Sequence, residues 1–158
     1  IVMVCNTIHV FLDKIQAVTG AHNILPLPVI VKNALSGSKN DVLCVLGTGL
    51  TVSRGLYDFP DFKYVTLDQK QQENLCDIVV DYNSGGNEGE RLKKNKDGLL
   101  SIVENCRAQG ATTFLLACTE ISELLGREPI KRLDTLELLI DEAVEKIVDS
   151  IKRSRLVT

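Results

Sequence analysis

Ala111-Thr-Thr-Phe-Leu-Leu-Ala-Cys-Thr-Glu120 is the stretch that decides the fold. The run through Ala117 is short and largely apolar, with none of the alternation of a half-exposed strand. It stops abruptly on a Cys-Thr-Glu triplet. A brief continuous apolar run predicts a strand buried on both faces, as in a parallel sheet covered on two sides. Its flanks agree. Upstream, Leu92–Gln109 sets Leu99, Leu100, Val103 and Cys106 on one helical face. Downstream, Ile130–Leu133 reads as a short strand. Leu136–Ile151 follows as an amphipathic helix carrying Leu139, Ile140, Ala143, Val144, Ile147 and Ile151 at helical intervals.

The same pattern repeats towards the N-terminus. Asp41–Leu46 predicts a strand that runs into Gly47-Thr-Gly-Leu-Thr51, then a helix to about Tyr57. Phe62–Thr66 predicts a third strand and Gln71–Val80 a helix. Ser84-Gly-Gly-Asn-Glu-Gly89 reads as a flexible linker, and Ser36-Gly-Ser-Lys-Asn40 as a loop and candidate hinge. Val29–Leu35 predicts a short helix. Ile1–Cys5 reads as a buried strand, with a helix from Ile8 to Val18 that Asn6 or Thr7 can cap. The chain opens on Ile1, inside that expected strand, which suggests that residues upstream are missing. Alternating strands and helices predict an α/β fold with a parallel sheet flanked by helices. Such sheets bind ligands at the carboxyl ends of their strands. Three polar motifs fall at such ends: Cys5-Asn-Thr7, Gly47-Thr-Gly-Leu-Thr51 and Cys118-Thr-Glu120.

Composition narrows the function. The 158 residues are 44% hydrophobic but only 4% aromatic, so the core must be aliphatic. A net charge of −3 and a pI near 5.4 leave no electrostatic footprint for nucleic acid or an anionic membrane. No apolar run approaches the length that spans a bilayer. The five cysteines are odd in number, scattered and without a CxxC pair, which argues against a disulfide framework or zinc ribbon and for a reducing cytoplasm. No metal site is expected: Cys5 and His9 have a usable spacing but no second ligand pair. Lys93-Lys-Asn-Lys96 reads as a solvated helix start.

Two of the cysteines differ from the rest. Cys5 and Cys118 each end an apolar run and each precede small hydrogen-bonding residues and an expected helix. Free helix N–H groups and the positive end of the helix dipole favour a thiolate, so both pKa values are expected to be depressed. Cys44 lies inside a strand, and Cys76 and Cys106 lie on helices, where cysteine serves as a small buried hydrophobe.

Taken in order along the chain, four motifs are similar to those of the cofactor-independent aspartate/glutamate racemases. They are Val4-Cys-Asn-Thr-Ile-His9, Gly47-Thr-Gly-Leu-Thr51, Leu116-Ala-Cys-Thr-Glu-Ile121 and Leu133-Asp-Thr135. Glu120 after Cys-Thr resembles the aspartate racemase branch. The resemblance implies two lobes with parallel sheets: an incomplete first lobe of residues 1–37 plus 136–158, and a second lobe of residues 38–135. It places the active site in the cleft between them. It implies racemisation of aspartate or a related amino acid, with no cofactor and with Cys5 and Cys118 as acid and base on opposite faces of the α-carbon. Asn6, Thr7, Thr48, Thr51 and Thr119 are the implied substrate-binding donors. Glu120 could orient Cys118, face the substrate amine or merely cap a helix, while His9 could reach the site or be an ordinary satisfied histidine.

The chain departs from that family pattern in three ways. Ala117 stands where Gly is usual, the last helix lacks an early His, and a strand–helix region before Cys5 has no counterpart. An incomplete lobe would leave apolar surface to cover, so a homodimer is expected. Two further classes stay open. One is another superfamily activity, such as a hydantoin racemase or maleate isomerase. The other is a non-catalytic remnant or binding module.

Overall fold

In the computed structural model, which describes residues 1–38 and 40–155, a four-stranded parallel sheet is the central layer. The elements run α1 (Leu12–Thr19), α2 (Leu27–Ala34), β1 (Val42–Gly47), α3 (Gly49–Ser53), β2 (Lys63–Tyr64), α4 (Gln69–Asn83), α5 (Gly89–Ala108), β3 (Thr113–Ala117), α6 (Thr119–Leu125), β4 (Arg132–Asp134) and α7 (Thr135–Arg155). The strand order is β2-β1-β3-β4. In the centre Leu43 pairs with Thr113 and the register runs on to Gly47 opposite Ala117. The fold is therefore α/β with a parallel sheet flanked by helices, as the strand–helix alternation predicts.

The period-two geometry of strands sorts the apolar residues into two cores. Cys44, Leu46, Phe114 and Leu116 point to one face, where Leu75, Ile78, Leu99, Ile102, Val103, Cys106 and Ile121 from α4, α5 and α6 cover them. Leu43, Leu115 and Ala117 point to the other, against Leu27, Val31 and Leu35, the aromatic pair Tyr57 and Phe59, and Leu139 of α7. Helix α4 starts cleanly because Asp68 and Gln71 form a reciprocal capping box, with bonds of 2.8 and 2.9 Å.

Several sequence expectations are corrected. Residues 1–5 form no strand: Ile1 exchanges hydrogen bonds with Asn23 and Leu25, and Ile1, Val2 and Val4 are exposed. An apolar run reports that a segment needs a partner, not that one lies beside it. The next helix begins as a 3-10 turn over Thr7–Phe11, and α1 buries none of its residues. Asn6 occupies the cap position of that turn without a capping bond. Helix α3 stops at Ser53, short of Tyr57, because the chain turns at Gly55 with φ of 60° and sends Tyr57 into the core. The supposed linker at 84–89 is a tied turn. Buried Asn95 donates to Asp81 Oδ2 at 2.8 Å and to the Gly86 carbonyl at 3.0 Å. Of the expected hinge at 36–40, Lys39 lies outside the described residues, as do 156–158 of the expected first lobe.

Candidate active site

Strands β1 and β3 are neighbours, and Gly47 faces Ala117 at their carboxyl ends. Thr48 and Cys118 therefore leave the sheet side by side, about 4.8 Å apart in the hydrogen-bonding direction. Gly47 is needed there: a Cβ on it would meet the Ala117 Cβ, the Ala117 carbonyl and the Thr51 methyl, each at 3.3 Å.

Thr48 is the extended residue before α3, yet its side chain does not cap that helix. Its hydroxyl lies 2.9 Å from Thr7 Oγ1 and 3.1 Å from Thr51 Oγ1, and Thr7 lies 3.0 Å from Thr51. Three hydroxyls thus close a triangle that seats the Cys5–Thr7 segment on the carboxyl edge of the sheet. A second tether runs from Tyr57, whose buried hydroxyl donates to Asn6 Oδ1. Burial pushes the Tyr57 phenol up, and a thiolate at nearby Cys5 would push it further. Buried His9 closes the segment on itself, with Nε2 2.9 Å from the Met3 carbonyl. Burial lowers the His9 pKa, partly opposed by that bond. Cys5 itself is exposed.

Cys118 is buried and occupies the cap position of α6. Its thiol donates to Glu120 Oε2 at 2.8 Å. The expected depressed pKa is overturned. Burial and then the Glu120 carboxylate push this thiol up to about 12, while the backbone N–H groups of Glu120 and Ile121 pull it down less strongly. The helix-end effect is present and outweighed. Glu120 also accepts from Thr119 Oγ1 and Asn83 Nδ2, both at 2.9 Å. Burial raises its carboxyl, but the bonds from Cys118, Asn83 and Thr119 win and hold it below the ordinary value.

Some of these partners were not legible in the sequence. Tyr57 and Asn83 carry no motif signal of their own. The Asp134–Thr135 pair is a buried latch: Ser122 Oγ donates to Asp134 Oδ1 at 2.7 Å, and Thr135 Oγ1 donates to the Leu116 carbonyl at 2.8 Å. It fixes β4 and α7 against the strand that delivers Cys118. Cys44 and Cys106 are buried in the core, and half-buried Cys76 sits 3.5 Å from Gln72 Nε2. Lys93 is exposed and paired with Asp97 at 2.6 Å.

A cavity of about 210 Å³ opens on the β2 side of Thr51, between Val45, Leu56, Tyr57, Val65 and Gln72. Neither Cys5 nor Cys118 lines it, and Asp58 is the one charged residue that does. Its apolar walls suit an amino-acid zwitterion poorly, so the edge bearing the thiols is the stronger candidate. No helix among the described residues is long and apolar enough to cross a membrane.

Known structures share this arrangement of elements. An Asp/Glu racemase, provisionally so assigned, from Yersinia pestis is similar with a TM-score of 0.75 and 22% identity, over 93% of this chain and 65% of that one. An aspartate racemase homologue from Pyrococcus horikoshii gives 0.70 and 22%, over 91% and 64%. The Picrophilus torridus aspartate racemase gives 0.68 and 21%, over 90% and 61%. At these identities the likeness establishes the fold, and the chain spans under two thirds of each structure's length. The sequence itself matches the Asp/Glu/hydantoin racemase family model over residues 1–143, nearly the whole chain, and so the chain belongs to that family.

Proposed function

We propose that this chain carries the two proton-transfer groups of a cofactor-independent amino-acid racemase, with aspartate as the preferred substrate. The observation that carries the reading is the joining of Cys5-Asn-Thr7 to Thr48, beside the strand end that bears Cys118. Inversion at an α-carbon needs a base on one face and an acid on the other. Two thiols delivered to one sheet edge by separate segments can supply both.

The electrostatics suggest how the roles divide. Cys118, held as a thiol against Glu120, enters as the proton donor. Cys5, exposed at the surface, is the group that takes the α-proton. After one turnover Cys118 carries the negative charge beside a carboxylate, and a substrate ammonium group in the site would offset that cost. The hydroxyls of Thr7, Thr48, Thr51 and Thr119 and the amide of Asn6 are the donors for the substrate carboxylate, whose developing charge they stabilise in the transition state. The division into lobes of 1–37 plus 136–158 and 38–135 and a cytoplasmic setting, consistent with five free cysteines, belong to the same proposal.

A binding module of the same fold is the second reading. It is favoured by the high pKa of Cys118. Proton NMR in deuterated water separates the two. Incubation with L-aspartate, D-aspartate, glutamate and alanine should erase the α-proton signal of aspartate fastest, with inversion in a chiral assay. Persistence of every α-proton signal would favour the binding module for this chain, and the same test on a longer chain with upstream residues would then decide the activity.

A further inference from the structure

Asn6 is 3% exposed and sits between Cys5 and Thr7, in the stretch that the threonine hydroxyls seat on the sheet edge. The two ends of its amide differ. Oδ1 accepts from the Tyr57 hydroxyl. Nδ2 is buried and has no hydrogen-bond partner among the described residues. A buried donor left unpaired is costly, so its presence calls for an acceptor that arrives from outside the chain.

Tyr57 decides which end of the amide is left free. Its side chain is 2% exposed, and burial raises the phenol pKa, so the hydroxyl keeps its hydrogen at neutral pH. That hydrogen has Asn6 Oδ1 as its acceptor. With the amide turned over, Nδ2 would meet the phenol oxygen, and the phenol hydrogen would lose its bond. The free end is therefore the N–H end.

The phenol is itself held in place. The chain turns at Gly55 just before it, and the Tyr64 hydroxyl donates to the Tyr57 carbonyl at 2.8 Å. The Phe59 ring packs edge-on against it, with centroids 6.4 Å apart. Neither contact uses the phenol oxygen, so ring packing and the bond to Asn6 can be separated by substitution.

We propose that Tyr57 is a positioning residue for the transfer reaction: it orients the Asn6 amide so that Nδ2, and not Oδ1, meets the substrate carboxylate. The role rests on the racemase reading. Asn6 is flanked by exposed Cys5 and half-buried Thr7, so a carboxylate at the thiol-bearing edge reaches Nδ2 through a shift of one short segment. Without the phenol the amide is free to turn, and Oδ1 then repels the carboxylate that Nδ2 would bind.

A nitrogen–proton correlation spectrum reads the amide directly. The Asn6 Nδ2 signals are identified by their loss in Asn6→Asp. In the wild-type chain they should exchange slowly with solvent and move on titration with L-aspartate. Tyr57→Phe keeps the ring and removes the hydroxyl. It should leave the β1 and β3 amide signals in place, quicken exchange at Asn6 Nδ2, and weaken aspartate binding roughly tenfold or more. Phe59→Leu loosens the ring but keeps the phenol, and should leave binding nearly unchanged. Asn6→Asp keeps an acceptor for Tyr57 but replaces the N–H end with a carboxylate oxygen, and should abolish binding. Signals that ignore aspartate would overturn the proposal. So would a Tyr57→Phe or Asn6→Asp chain that binds aspartate as tightly as the wild type. Movement of the signals while the substrate α-proton persists in deuterated water would sink the racemase reading alone, leaving Tyr57 to orient the carboxylate donor of a binding module.

Discussion

The thiol of Cys118 donates to the Glu120 carboxylate at 2.8 Å, and both side chains sit on the first residues after one strand. The pair stores a proton on sulfur at neutral pH. Glu120→Gln removes the acceptor charge, so the thiol pKa should fall from about 12 yet stay above the ordinary value, because burial remains. Alkylation of Cys118 at fixed alkaline pH should accelerate, as peptide mapping of iodoacetamide adducts will read. An unchanged rate would mean that Glu120 does not control the thiol.

Cys5→Ser and Cys118→Ser should each lower racemisation by about 10²–10⁴-fold, the usual span of a lost acid or base. Chiral chromatography of aspartate after incubation gives the rate. Either variant turning over normally would refute the two-thiol assignment.

Thr7→Val keeps the shape of the side chain and deletes its hydroxyl, which lies 2.9 Å from Thr48 and 3.0 Å from Thr51. The loss should cost about 1–3 kcal/mol of local stability. Amide hydrogen exchange across residues 5–9 should quicken while the β1 and β3 amides hold steady.

His9 is buried with its pKa lowered, so the folded segment prefers the neutral ring. Below about pH 6.5 the unfolded segment binds a proton that the folded one resists. Stability of the Met3–His9 turn should therefore be full above that pH and decline as the pH falls through the folded value. Proteolysis near residues 3–9 at pH 5.5 and 7.5 checks this, and His9→Gln should flatten the difference.

Gly47→Ala puts a methyl between β1 and β3, 3.3 Å from the Ala117 carbonyl. Backbone on a central strand yields little, so the cost should be about 1–3 kcal/mol. Thermal unfolding should move down by about 2–4 °C for each kcal/mol. Cys118 should also become easier to alkylate as the strand ends part.

The sheet was legible because β1 and β3 are central strands whose residues alternate between two covered faces, so both read as unbroken apolar runs. Ile1–Cys5 looked the same and is not a strand, since composition does not reveal whether a neighbouring strand is present. The motif cysteines and threonines were legible by residue type and order. Tyr57 was not, because its reach to Asn6 depends on the turn at Gly55, and no local pattern encodes a contact across so much sequence. The direction of the Cys118 shift is hidden for a related reason. The helix end and Glu120 are both visible in the sequence, but which one prevails depends on burial, a property of the folded whole.

The Thr7, Thr48 and Thr51 hydroxyls lie within hydrogen-bonding reach of one another. Three hydroxyls in mutual reach can each donate once and accept once, closing a homodromic circuit in which no hydrogen is left over. Such a circuit is electrically quiet: its donors are spent on one another and offer little to water. A carboxylate arriving at the edge can break the circuit by simple rotation of O–H bonds, with no heavy atom displaced. Clockwise and anticlockwise circuits are equivalent until something charged chooses between them. On the proposed reading, the same heavy atoms would turn from satisfying one another to binding an anion by rotation of their O–H bonds alone.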